Sequence, residues 1–219
     1  MNFFQSYFPK ILSKKMTSNA QKLDTWIRHD FKQINTQLEE LYNSLDTPDD
    51  IAGVGKALKT QLTNEGSSLL KALLDEGNTD QGFDRGFDLL GNVGFFMAAC
   101  RRHEIDELKT PELVPSLQVA SALSLQLGAS LGVVPRFASA HLETHNKAIA
   151  GSYKSFTELD DEALFLEYNT RGVFAFIRAS EALLHVLPLG VSHAVTYDLL
   201  LTAETALNDV VVNNQALFE

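Results

Sequence analysis

Most of the features that assign a chemistry quickly are missing from this 219-residue chain. It has one cysteine, Cys100, so no disulfide can form within it and a reducing compartment is expected. No uninterrupted run of 18 or more apolar residues occurs, so no membrane-spanning helix is expected and the protein is read as cytoplasmic. No lysine or arginine follows Arg178, and 18 basic residues against 28 acidic ones leave a net charge of −10. That balance argues against nucleic acid as a partner. Alternating strand patterns are nearly absent, and Val210-Val211-Val212 is too short to outweigh its helical surroundings. There is no internal repeat, Gly-rich phosphate loop, nucleophile elbow or paired Glu-x-x-His signature of the ferritin type.

The residues present are 45% hydrophobic and 21% charged, the balance of an ordinary globular protein. A chain this long can bury a core without disulfide or metal staples. Its first fifteen residues, MNFFQSYFPKILSKK, place aromatics before lysines, the reverse of a secretory signal. Residues 1–19 are therefore expected to be a poorly ordered extension, with Met16 an alternative initiator, and 20–219 a single all-helical domain. Within residues 1–36, Lys10, Lys14, Lys15, Lys22, Arg28 and Lys32 outweigh Asp24 and Asp30, a local balance of +4.

Helical spacing dominates the rest. Leu23, Trp26, Ile27, Ile34, Leu38 and Leu41 predict one amphipathic helix over 20–44. Thr47-Pro48-Asp49-Asp50 reads as a restart, with Ile51, Val54, Leu58 and Leu62 on a second helix. A third covers 66–76 and stops at Gly77-Asn78. A fourth spans about Phe83–His103, and Thr110-Pro111-Glu112 opens a fifth that ends near Gly132. Pro135 starts a sixth, running to Gly151. A long helix from Asp161 to His185, capped by Asp160 or Thr157, meets a break at Pro188-Leu189-Gly190. The last helix runs from about Ser192 to Asn213. The fold class is all-α, a multi-helix bundle.

Several residues offer chemistry. His141 and His145 stand four apart on the expected sixth helix, a spacing that puts two imidazoles on one metal, with Glu143 between them. A hydrogen-bonded or surface pair is the simpler alternative. Arg171 and Arg178, seven apart, share a helix face near Phe165, Tyr168, Phe174 and Phe176, where a carboxylate could sit beside an aromatic ring. Alternatively Arg171 pairs with Glu167 and Arg178 with Glu181 on a solvated face. Arg101-Arg102-His103-Glu104 complements the end of the fourth helix, and Cys100 falls on that helix's apolar stripe as core. Gly91 and Gly94, mid-helix, cost about 1 kcal/mol each relative to alanine, which signals close approach of another helix or a ligand.

Two stretches carry a family resemblance. The first is Gly82-Phe83, Asn92-Val93-Gly94-Phe95-Phe96-Met97 and Arg101-Arg102-His103. The second is Val134-Pro135-Arg136, His141, Asn146, Ser152-Tyr153, Leu159-Asp160-Asp161-Glu162-Ala163 and Leu166-Glu167. In this order they resemble the PrnB family over roughly residues 80–185. The resemblance implies the helical fold of the tryptophan and indoleamine dioxygenase superfamily, with haem b held between helices. It further implies an oxygenase-type oxidoreductase acting on a tryptophan- or indole-derived substrate, in secondary metabolism. Its small-molecule partner would then be an aromatic amino acid or indole-like compound, with neither nucleic acid nor membrane involved.

On that resemblance Arg171, Arg178, Tyr168, Phe95 and Phe96 become candidates for substrate binding, and Gly91, Gly94 and His141 for the cofactor's surroundings. The family's proximal histidine lies late, after a glycine-rich segment. Nothing beyond Pro188-Leu189-Gly190 resembles that part, so the fold is expected to be incomplete at its C-terminus, with His185 and His193 the only late histidines. An expectation from another class is a non-catalytic helical module. It would oligomerise through the tail 179–219, where Leu199, Leu200, Leu201, Val210, Val211 and Val212 lie. A metal-dependent enzyme using His141, Glu143 and His145 is the third reading. Homo-oligomerisation fits the first two.

Overall fold

Thr17 accepts a hydrogen bond from the Ala20 amide and so starts the first helix, α1 (Ser18–Arg28), of a computed structural model. The structure describes residues 17–45, 51, 53–77, 82–103, 105 and 115–218. The restart at Thr47-Pro48-Asp49-Asp50, the helix opening at Thr110-Pro111-Glu112, Asn78 and the extension up to Met16 lie outside the described residues. Six further helices follow among the described residues: α2 (Asp30–Asn43), α3 (Lys56–Glu76), α4 (Phe83–Arg102), α5 (Pro115–Leu131), α6 (Asp160–Leu189) and α7 (Thr196–Ala216). A single 3-10 turn occupies Ser139–His141, and the only extended pairing among the described residues is one bridge between Ile149 and Ser152. The fold is all-α, as the periodicity indicated.

The stripe expected to form one helix over 20–44 instead divides at His29, whose backbone sits at φ −128°, ψ −88°. Its amide returns to the Trp26 carbonyl, while Arg28 turns inward to donate to the Ser152 carbonyl at 2.6 Å. Buried Ile27, Phe31, Ile34 and Leu38 keep three- and four-residue spacing across the break, so the hydrophobic period does not record it. Leu41, counted in that stripe, is exposed.

Two expected helices, over 51–62 and 66–76, are one: α3 runs unbroken through Gly66. A Cβ at Gly66 would lie 2.3 Å from Cε2 of Phe96 and 3.1 Å from the Trp26 ring. The glycine thus lets α4 and α1 approach α3 rather than breaking it. Gly66→Val is expected to destabilise the fold by about 1–3 kcal/mol through overpacking. A thermal melt checks this, and an unchanged midpoint would show that Phe96 has room to move. The helix ends as expected at Gly77, φ +66°, whose amide returns to the Leu73 and Leu74 carbonyls.

Helix α4 contacts α1, α3 and α5 and supplies the centre of the core, with Val93, Phe95, Phe96 and Cys100 fully buried. The helix expected over Pro135–Gly151 is absent. Polar side chains hold that segment in an irregular path instead. Asn146 donates to the Leu142 and Lys154 carbonyls and accepts from the Lys154 amide, at 3.0, 2.7 and 3.0 Å. The segment also inserts Phe137 and Phe156 against Phe95, with centroids 5.0 and 4.9 Å away.

Helix α6 begins one residue earlier than expected and continues through Pro188 to Leu189, ending at Gly190 with φ +75°. Neither Asp160 nor Thr157 caps it with its side chain. Glu162 reaches back instead, to the Phe156 and Thr157 amides at 2.7 and 2.6 Å. Ala175, Ala179 and Ala182 of α6 face Ala203, Ala206 and Val210 of α7, a seam of small residues that lets the helices pack closely. By length and composition α6 is apolar enough to cross a membrane, although no run of 18 apolar residues within it is uninterrupted.

Candidate functional site

The segment between α5 and α6 docks on α1 and α4 through charge. Lys154, 1% exposed, places Nζ 2.9 Å from Asp24 Oδ1 and 2.6 Å from Asp88 Oδ1. Asp24 also takes the Arg28 Nε at 2.9 Å. Burial alone would raise the Asp24 pKa, but Lys154 and Arg28 outweigh it and hold the carboxyl below its usual value. Sequence reasoning missed Lys154 and Asp24. One signal was available: Asp24 and Arg28 stand four apart within the buried stripe of α1, where an unpaired charge is costly.

Beside this cluster, the surface of α4 opened by its glycines is filled. A Cβ at Gly91 would lie 2.7 Å from the His141 ring, and one at Gly94 would lie 2.4 Å from the Phe137 ring. His141 stacks on Phe87 with centroids 4.1 Å apart, and on Phe137 at 5.5 Å. Its Nδ1 accepts from the Ala138 amide at 3.0 Å, which leaves the ring hydrogen on Nε2. Among the described residues, that Nε2 and Oδ1 of Asn92 are buried with no well-aligned hydrogen-bond partner, the nearest acceptor for the ring being the Phe87 backbone. Burial lowers the His141 pKa to about 4, so the ring is neutral at pH 7. With the expected sixth helix absent, His141 and His145 share no helix face. No group of three or more His, Cys, Asp or Glu among the described residues is placed to hold a metal, so the reading that used His141, Glu143 and His145 together falls.

His103, read from sequence as part of a helix-end charge cluster, is instead a buried tie at the end of α4. Its Nδ1 lies 3.0 Å from the Tyr42 hydroxyl and its Nε2 lies 2.6 Å from Asn35 Oδ1. Burial lowers its pKa also to about 4. Arg102 does not wait on the helix terminus but forks onto both Glu39 oxygens, at 2.8 and 2.7 Å.

Of the remaining candidates, Tyr168, Arg171, Arg178 and His185 lie on α6. Arg171 pairs with Glu167, as one reading of the sequence had it, and lies 5.5 Å from the Tyr168 ring centroid. Arg178 pairs with Asp209 of α7 rather than with Glu181. Both guanidinium groups are about half exposed. Positions 171, 174, 178 and 185 recur at three-, four- and seven-residue intervals, which sets Arg171, Phe174, Arg178 and His185 along one side of the helix. The Nδ1 of exposed His185 lies 2.7 Å from the Glu181 carbonyl, an oxygen that can only accept. Nδ1 therefore carries the hydrogen, and Nε2 presents its lone pair to solvent. His193 has the opposite arrangement, with Nδ1 accepting from the Val195 amide at 3.2 Å. Phe95 and Phe96 are fully buried in the core against Phe31, Phe137 and Trp26, so the structure does not bring them to Arg171, Arg178 and Tyr168.

A family model described as monodechloroaminopyrrolnitrin synthase PrnB matches residues 17–219, from the N-cap of α1 to the last residue. No curated protein matches the chain.

Proposed function

The chain belongs to the PrnB family, and from that premise we propose that it is a haem-dependent oxygenase of the PrnB type acting on a tryptophan- or indole-derived substrate. The observation that carries this reading is the extent of the family match, which covers all seven helices.

The two candidate regions suit a haem unequally. On α4 the spaces beside Gly91 and Gly94 are taken by His141 and Phe137, and the His141 Nε2 bears a hydrogen, so that region does not fit a macrocycle or an axial bond. His193 fails for the same reason of tautomer. His185 fits: its Nδ1–H is committed to the Glu181 carbonyl, the kind of second partner that orients a metal-ligating imidazole and raises its basicity. His185 would hold the iron, and a bound haem would supply activation of dioxygen or peroxide. Along the same side of α6, a substrate carboxylate would replace Glu167 on Arg171 or Asp209 on Arg178, and Phe174 would offer a ring face for the indole. The two arginines act by orientation, fixing the amino-acid end so that the ring is presented in one pose.

Haem titration of the purified protein, followed by its absorption spectrum, tests this reading. A saturable one-to-one Soret shift is expected. It should be lost in His185→Ala and kept in His141→Ala and His193→Ala. A shift no larger than that of an unrelated control protein, or one indifferent to His185, would remove the haem assignment.

A further inference from the structure

The hairpin of α6 and α7 has two unlike sides. The Arg178–Asp209 pair crosses the seam on one of them. On the other, Phe165, Phe176, Leu183 and Leu187 recur along α6 at spacings of 11, 7 and 4, and Leu200, Leu207 and Val211 recur along α7 at 7 and 4. Those intervals align each set on one helix face, and the antiparallel packing brings the two sets to the same side of the hairpin. All seven side chains are between 44% and 76% exposed. None belongs to the hydrophobic core that α1 to α5 build.

We propose that this face is covered by the same face of a second copy, so that two hairpins form a four-helix bundle across a two-fold axis. Area is the first argument. Seven large side chains at this exposure present on the order of 700–800 Å² of apolar surface, the share that each partner contributes to a standard stable interface. Such a patch exceeds what monomers ordinarily leave in water. Charge is the second. The described part of the hairpin has no cations except Arg171 and Arg178, and Arg178 is engaged on the opposite side. The apolar face therefore offers nothing to anionic headgroups or to an acidic partner. By the same spacing the exposed Glu204 stands at the outer edge of this face, between Leu200 and Leu207. The rest of the face is apolar and matches itself, since apolar ridges of one copy enter grooves of the other under two-fold symmetry. Of the tail residues that the sequence suggested for such a face, Leu200 and Val211 lie on it, whereas Val210 lies in the seam. The proposal is independent of the haem assignment, which uses the other side of α6.

Sedimentation velocity over a concentration series of the full chain, with no haem added, decides it. The expected species is twice the 24.2 kDa chain mass. Leu183→Glu combined with Leu207→Glu should weaken association at least about a hundredfold while far-UV circular dichroism keeps its helical signal. Asp198→Asn, away from the face, should leave the dimer intact. A wild-type chain that stays monomeric at high micromolar concentration overturns the proposal, a result that needs no variant to fold. So does a dimer that survives the double substitution with helicity preserved, or a monomer that floats with phosphatidylcholine vesicles.

Discussion

Acidification from pH 7 to pH 4.5 is expected to remove several kcal/mol of stability, mostly through two buried histidines rather than through carboxylates. His103 and His141 are both buried, and burial lowers each from 6.5 to about 4. Between those values the unfolded chain binds protons that the folded chain refuses, so unfolding becomes more favourable as the pH falls. The contribution is fully present above pH 6.5 and is progressively lost toward pH 4. At 1.4 kcal/mol per unit, each histidine contributes roughly 3 kcal/mol to the decline at its acid end. Asp24 acts in a different window. Its carboxyl is held below the usual value, so its stabilisation is lost only as the pH falls below about 4. Chemical denaturation at a series of pH values measures the slope. In a His103→Phe/His141→Phe variant the decline between pH 6.5 and 4.5 should largely vanish, whatever the variant's absolute stability. A slope equal to wild type would place the acid sensitivity elsewhere.

Replacing Lys154 by methionine should be the most damaging single substitution in the molecule. Methionine keeps the apolar length of the side chain but leaves the Asp24 carboxylate buried beside Asp88 without the ammonium that served both. Removing one partner of a buried pair costs about 3–5 kcal/mol, which for a chain of this size lowers the melting temperature by about 10 °C or more. The same change at Arg171, whose pair with Glu167 lies in solvent, should cost less than about 1 kcal/mol. Calorimetry of both variants makes the comparison. Adding Asp24→Asn and Asp88→Asn to Lys154→Met should recover part of the loss, because the penalty comes from stranded charge. No recovery would mean that Lys154 acts through packing alone.

Helix α4 was legible almost to the residue, because its apolar period is uninterrupted and Gly82 precedes it. The Arg171–Glu167 pair was legible for a similar reason, since four-residue spacing on a helix surface fixes neighbours. What was hidden depends on contacts distant in sequence. Gly66 falls where a new helix was expected to begin, and its role shows only when Phe96, thirty residues on, occupies the space of its missing side chain. His29 interrupts a stripe whose spacing is unchanged. Pro135 promised a helix, but Asn146 closes a loop onto Lys154 with three hydrogen bonds that spacing cannot reveal. For the candidate site, one helix side could be read from Arg171 and Arg178. The tautomers that separate His185 from His141 and His193 are set by backbone groups, which the sequence does not place.

The alanine seam between α6 and α7 has a consequence for motion. Those helices bond chiefly to each other, and near the base of the hairpin the described ties to the rest of the chain run through Asn169 to Glu143 and through Glu162 to the 156–157 amides. Nearly all of the hairpin's contacts lie within the hairpin itself, and little apolar area is buried between side chains as small as alanine. A unit of that kind opens at a lower free energy than the core around Phe95 and Phe96, and it does so as a whole. Amide hydrogens of α6 and α7 would then exchange with solvent together, ahead of those in α4. Anything that covers the hairpin, a second copy or a bound ring, would register as slowed exchange in these two helices before it altered the global melt.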